Sequence, residues 1–397
     1  MVNTRKNVSI LAACQALLFT NNTTAIAING LAGFALATDK GLATLPATGL
    51  VIGGAIAAFP ASLLMKRMGR RWGFIIGAAV GILGALLSSA AVLAGSFWLL
   101  CLGTMVLGMY NGGAQYYRFA AADVSPPEFK SRAISLVLAG GLVGGLVGPE
   151  LSKHTVDLMA AKYAGAYLSL TLFHVLAILA LSRLEVPPPG TEERHGASRP
   201  LAQIVLQPKF AVAALSSALG YGVMNLLMTA SPLAMGVCGH PFSDAALVIQ
   251  WHVVAMFAPS FFTGDLIRRL GVTKVMMAGA FLQLMCVAVA LSGVTVAHFW
   301  WSLVLLGIGW NFLFIGGTAL ITETYQPAEK AKAQGANDLA IFIVMMSSSF
   351  FSGLLHERNG WEMLNYLAVP PVLAVVLALV WLARRQPVAA AAAPSGA

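Results

Sequence analysis

The strongest constraint on this chain is the recurrence of apolar runs about as long as a bilayer is thick. They fall at 9–37, 42–64, 73–94, 97–121, 132–151 and 164–183, then at 209–231, 242–264, 275–294, 298–321, 333–354 and 363–384. About 20 apolar residues in helical form cross the hydrocarbon core, so each run is expected as a tilted helix. The fold class is therefore an all-α membrane protein with twelve transmembrane helices. Composition agrees: 58% of the 397 residues are hydrophobic and 10% are charged, against about 25% charged in soluble domains. Too little polar surface remains to cover a water-exposed domain, which excludes a soluble enzyme or a disordered chain. Cys14, Cys101, Cys238 and Cys286 show no C-x-x-C spacing, so neither a disulfide framework nor a zinc motif is expected. A phosphate-binding loop and a nucleotide fingerprint are also missing from the sequence, which argues against an enzyme or an ATP-driven pump.

The interval 184–208, EVPPPGTEERHGASRPLAQIVLQP from Glu185 onward, is the extended polar, proline-rich stretch. It reads as a linker between a six-helix bundle over 1–183 and a second over 209–397. The formal net charge of +9 would point to nucleic acid in a soluble chain. Here it follows from basic residues collecting in cytoplasmic loops. With the N-terminus inside, nineteen Lys and Arg fall in inner segments, while Lys40, Lys153, Lys162 and Arg358 fall outside and Arg118 lies within a run. Both termini are thus expected in the cytoplasm. The expected partner is the lipid bilayer, with no nucleic acid, and the chain is expected to be a monomer.

The two halves repeat. Lys66-Arg67-Met-Gly69-Arg70-Arg71 follows the second run and Arg268-Arg269-Leu-Gly271 follows the eighth, at an offset of 202 residues. Pro127, Lys130, Arg132 and Ala133 recur as Pro327, Lys330, Lys332 and Ala333 at an offset of 200. Duplicated six-helix units facing each other across a central cavity are the expected arrangement. The loops at 62–71 and 264–271 resemble the G-x-x-x-D-R-x-G-R-R loop of the major facilitator superfamily, with Lys66 and Arg268 standing where that pattern has Asp. The resemblance implies two pseudo-symmetric bundles that rock to give alternating access.

A candidate site lies on the seventh and eighth runs. Met224 and Met228 share a helix face, as do His252 and Met256, because residues four apart lie one above the other. Short antiparallel helices would place Met224 level with His252, with Met228 and Met256 to either side. Thioether and imidazole select Cu(I) and bring no buried negative charge into the bundle. By chance about 0.6 M-x-x-x-M pairs and about 0.3 H-x-x-x-M pairs are expected in this composition, and methionine is also an ordinary core filler. The paired motif resembles the signature of CcoA-like copper importers, a bacterial branch of the same superfamily. That resemblance implies Met224 and His252 as principal ligands, with Met228 and Met256 assisting. It further implies import of copper, free or as a small-molecule chelate, across the bacterial inner membrane for haem–copper oxidase assembly. Copper would be the transported substrate, and no cofactor is expected.

Other residues extend the expectation. Met235, Cys238 and His240 are candidates for capture at the outer mouth. Asn111, Gln115, Tyr117, Arg118, Asp123 and Asp338 are candidates for cavity lining or coupling, with Arg118 and Asp123 read as an ion pair. The glycines of Gly140-Gly-Leu-Val-Gly144-Gly-Leu-Val-Gly148 are read as packing surface, although with Pro149 they resemble a drug/proton antiporter motif. Two alternatives stand beside copper: drug/proton antiport, and uptake of an organic solute such as riboflavin, with Tyr116, Tyr117, Trp251 and Trp310 able to stack on a ring.

Overall fold

Helix starts and stops follow from local chemistry. Asn3 caps the first helix by accepting from the Lys6 amide at 3.1 Å, and Ser96 caps another by accepting from Leu99 at 3.4 Å, as short polar side chains do at orphaned amides. In the computed structural model, residues 3–385 are described. The first bundle comprises α1 (Thr4–Leu36), α2 (Leu45–Met68), α3 (Arg70–Leu93), α4 (Phe97–Asp123), α5 (Lys130–Thr155) and α6 (Ala164–Leu181). The second comprises α7 (Pro208–Val237), α8 (Ser243–Phe257 with Ser260–Leu270), α9 (Val272–Ser292), α10 (Val296–Ile321), α11 (330–359) and α12 (Gly360–Arg385). The side chains of Arg194 and Arg358, used above in counting charge, lie outside the described residues.

Among the described residues ten helices are long and apolar enough to cross a membrane, and α8 counts as an eleventh if its two segments, bent by 41°, form one span. The remaining span, α11, is continuous with α12 except at Gly360, which has φ 74°. The spans are less regular than the apolar runs imply. The bend in α8 falls at Ala258 and Pro259, and Asn311 of α10 repairs it. Its carboxamide donates to the Met256 carbonyl at 2.7 Å and to Ser260 Oγ at 2.6 Å. Broken helices persist in a bilayer where a neighbour supplies such partners. Likewise α4 is interrupted at Gln115 and Tyr116.

The repeat read from the sequence is a repeat of backbone geometry. Gly69 joins α2 to α3 at φ 86°, and Gly271 joins α8 to α9 at φ 90°, a left-handed conformation that glycine adopts without penalty. Single 3₁₀ turns at Pro127–Phe129 and Pro327–Glu329 precede α5 and α11.

Glycine stripes set the packing. A Cβ added at Gly140 or Gly144 would sit 2.1 Å from the Ala12 carbonyl or 2.5 Å from that of Ala16, and one at Gly148 would meet Thr23. This face of α5 therefore lies backbone-to-backbone on α1, and Thr23 and Thr24 donate to the Gly144 and Gly148 carbonyls at 3.1 and 3.0 Å. The packing reading of this motif holds. Its other stripe, Gly141 and Gly145, receives Phe257 and Val253 of the second bundle. On the opposite side of the molecule Gly54 of α2 receives Phe342 of α11.

At the face carrying the linker the bundles are bolted together. Arg70 bonds Gln334 and Asp123 at 2.5 and 3.0 Å, and Lys330 reaches Asp123 and Glu193 at 3.4 and 3.0 Å. Ser135 donates to the Ser260 carbonyl, and a Cβ at Gly264 would lie 2.5 Å from Arg132 Cα. Asp123 thus serves this closure and does not pair with Arg118. Five residues apart, those two side chains point about 140° away from each other around a helix.

The linker itself is anchored by Arg199, whose guanidinium forks onto the buried Glu329 carboxylate at 2.5 and 2.6 Å. Arg199, with backbone amides of Gln326 and Arg199, holds the Glu329 carboxyl down at about 2. A carboxylate with a depressed folded-state value contributes fully above its unfolded value near 4.3, and the contribution fades as pH falls towards the folded value. Glu329→Gln is expected to cost about 1–3 kcal/mol, less than a fully buried pair because Arg199 is 37% exposed. In thermal unfolding of the purified protein the deficit should be constant between pH 6 and 8, and it should shrink below about pH 4.

Candidate functional site

Arg118 lies within the span α4, five residues from its Asp123 end, and a charge inside a membrane span has to find its partners within the protein. The interruption of α4 carries it to the interface between the bundles, where it is 1% exposed. Its Nη2 donates to Asp338 Oδ1 of α11 at 2.5 Å, and its Nε donates to Thr318 Oγ1 of α10 at 3.1 Å. Nη1 donates to the Gln115 carbonyl at 2.8 Å and to Gln115 Oε1 at 2.9 Å. The guanidinium lies 4.7 and 4.6 Å from the Phe119 and Phe314 ring centres, where the ring faces favour a cation. Asp338 is equally buried. Its Oδ1 also accepts from Asn337 at 2.8 Å, while Oδ2 has no hydrogen-bond partner among the described residues.

This pair lines a cavity of about 10 Å³, room for about one water, bounded by Gln115, Arg118, Tyr221, Phe314, Asp338, Ile341, Phe342 and Met345. Behind it stands an aromatic wall. Trp310 stacks on Phe314 at 4.9 Å and 14°, and Tyr221 meets Trp310 and Phe314 edge-on at 5.3 and 5.6 Å. Phe257 extends the wall to Phe19 of the first bundle. Gly220 and Gly222 flank Tyr221 and let α7 settle against Leu313 and Val344. The cavity is far smaller than the roughly 300–1,000 Å³ of a small-molecule site, so the walls are closed on one another in this state. It combines flat apolar walls with one acidic oxygen and a few donors.

Of the residues expected to line a cavity, Gln115, Arg118 and Asp338 do so. Tyr117 instead packs against Phe74, with its hydroxyl 3.4 Å from that of Tyr110. Asn111 is buried away from the lining, and Asp123 belongs to the linker face. Tyr116 donates to the Ala58 carbonyl at 2.6 Å. Trp251 is 45% exposed on the protein's outside against Trp300. Tyr221, Phe314, Phe342 and Met345 were not anticipated. The W-x-x-x-F spacing of Trp310 and Phe314 was the available signal, since it puts two rings on one helix face.

The methionine–histidine ladder is not part of this cavity. Met224 and Met256 are buried and Met228 is half-buried in the packing of the second bundle. His252 Nδ1 donates to the Leu303 carbonyl of α10 at 2.7 Å, and its Nε2 is buried without a hydrogen-bond partner among the described residues. His174 in the first bundle makes the same arrangement with Leu170, so the pattern recurs away from the ladder. On α7 the polar side chain that links helices is Asn225, which donates to Ser349 and Ser348 of α11 at 2.6 and 3.0 Å. At the proposed capture site Met235 is fully buried, Cys238 is exposed and His240 bonds the Val294 carbonyl.

The sequence model of the Major Facilitator Superfamily matches residues 10–315 and 251–397. The riboflavin transporter RfnT of Brucella anthropi is 42% identical over 391 residues, covering 98% of each chain. Among solved structures, the E. coli fucose:proton symporter FucP superposes with a TM-score of 0.75 at 17% identity, covering 96% of this chain and 98% of its own. The proton:xylose symporter XylE gives 0.77 at 13% identity, covering 96% and 95%. These two likenesses establish the two-lobed fold. RfnT overturns the copper reading: the resemblance to CcoA-like importers, copper as substrate and partner, and the oxidase-supply role are all withdrawn. Spacing on α7 and α8 misled because a buried methionine stripe has the same period whether it binds a metal or fills a core.

Asp338→Ala leaves the Arg118 charge buried without its counter-ion, and is expected to lower stability by about 3–5 kcal/mol. The double substitution Arg118→Met with Asp338→Leu should recover most of that loss. Thermal unfolding of the purified variants in one detergent measures both.

Proposed function

We propose that this chain, which belongs to the Major Facilitator Superfamily, is a secondary transporter that takes up riboflavin or a flavin of similar shape. Members of this family are transport proteins, and alternating access by two rocking bundles needs no catalytic step. The observation that carries the flavin reading is the 42% identity to the riboflavin transporter RfnT along essentially the whole of both chains. The site supports it independently. A planar heteroaromatic solute gains from flat ring faces, and Tyr221, Phe314 and Phe342, backed by Trp310, supply them beside the polar edge formed by Gln115, Arg118 and Asp338.

In this reading the linker face is cytoplasmic, which the distribution of Lys and Arg supports, and the membrane is the bacterial inner membrane. The bundles are bolted there by Arg70, Lys330 and the close approach of Gly264 to Arg132. Solute therefore enters from the opposite face. Its arrival between α4, α7, α10 and α11 parts the walls, because the cavity is smaller than a vitamin-sized molecule needs. Release inside then requires the polar bolts to open, and water at that face replaces their hydrogen bonds at little net cost.

Expression in a bacterial strain that cannot make riboflavin should restore growth on external riboflavin and give saturable uptake of the labelled vitamin. Tyr221→Ala and Trp310→Ala should each reduce uptake about tenfold or more at limiting substrate. Met224→Leu and Met228→Leu, which remove the thioethers at nearly constant volume, should leave it within about twofold. Growth that is no better than the empty-vector control, with the protein present in the membrane, would refute the flavin assignment.

A further inference from the structure

The hydrogen-bonding capacity around the cavity can be counted atom by atom. Arg118 has five N–H groups. Nε is used on Thr318, both hydrogens of Nη1 on Gln115 and one of Nη2 on Asp338 Oδ1, which leaves one Nη2 hydrogen. Gln115 Oε1 is occupied as an acceptor of Arg118, so its carboxamide NH₂ is the group it can offer a solute. Asp338 is paired to Arg118 through Oδ1, and its Oδ2 is a buried acceptor without a partner among the described residues, on a residue of the cavity wall. The polar edge thus offers one strong acceptor together with two donors. An unpaired buried carboxylate oxygen costs more than a neutral one, so the group that reaches it has to be a donor.

We propose that this edge reads the pyrimidinedione ring of the flavin, which presents carbonyl, N–H and carbonyl in sequence. The ring N3–H donates to Asp338 Oδ2, and the two flanking carbonyls accept from Arg118 Nη2 and the Gln115 carboxamide. The ring system then lies among Tyr221, Phe314 and Phe342, and the polyol chain extends away from the charged pair. The assignment rests on the flavin reading and adds to it the part of the molecule recognised. It also sets a limit on charge. Arg118 is already paired with Asp338, and among the described residues no other cation lines the cavity. A phosphorylated flavin would bring two negative charges into a site with no positive charge to spare.

Competition against labelled riboflavin in cells expressing the unaltered protein tests this without risk of misfolding. Unlabelled riboflavin should compete fully. Riboflavin methylated at N3, which keeps the ring and polyol but has no hydrogen to donate, should compete about 100-fold more weakly or not at all, because a site built around a buried polar group rejects the analogue lacking its partner. Flavin mononucleotide should likewise fail to compete. Competition by the N3-methyl compound within about threefold of riboflavin, or by the mononucleotide as well as riboflavin, would overturn the assignment while leaving riboflavin transport intact. A complete lack of riboflavin uptake would instead remove the flavin reading on which it rests.

Discussion

One ion pair organises the middle of this protein. Arg118 and Asp338 come from different bundles, lie 220 residues apart and are both almost completely buried. Neither charge can be left alone in the bilayer interior, so each fixes the position of the other. Arg118 is further held by Gln115, Thr318 and two aromatic rings, which leaves it little freedom to turn away. The pair therefore locates the bundles relative to each other, near the Asp123 end of α4 and the Lys330 end of α11. It also confers a polar edge on a cavity whose other walls are aromatic.

Around that pair the helices meet through surfaces of small residues and through breaks. The glycines of α5 serve two faces of one helix, with Gly140, Gly144 and Gly148 against α1 and Gly141 and Gly145 against the second bundle. The first contact is reinforced by threonine hydrogen bonds within a bundle. The second is a side chain seated over a bare backbone, which can slide at smaller cost. Breaks in α4 and α8 complete the arrangement: one delivers Arg118 to the interface, and the other is stabilised by Asn311.

The architecture was largely legible in the sequence because its causes are local. A bilayer demands long apolar runs, and glycines with positive φ at Gly69 and Gly271 mark equivalent turns in the two halves. Gln115, Arg118 and Asp338 also drew attention as polar residues where few are tolerated. Their partnership did not, since a contact between residues 118 and 338 leaves no periodic trace. The nearer candidate, Asp123, has the right charge on the wrong side of the helix. The methionine–histidine ladder failed for the converse reason. Its periodicity was real, but spacing tells which residues share a face and not what that face meets. Spacing puts Trp310 and Phe314 on one helix face, but an aromatic ring inside a membrane helix carries no local mark that this face, or that of Tyr221, meets a cavity.

The linker's fastenings have a mechanical consequence. Its first residues belong to one bundle, with the Glu185 carbonyl accepting from Asn7 at 2.7 Å and its carboxylate paired to Lys6. Its last residues belong to the other, through Arg199 on Glu329 and Gln207 on the Thr324 carbonyl. Between these anchors lie three consecutive prolines at 187–189 and a short helix, Thr191–His195, whose Glu193 is itself paired to Lys330 of the second bundle. The proline run is a stiff strut of about 3.1 Å per residue. It acts as a tether of nearly set reach, capping how far the two lobes can swing apart on that side.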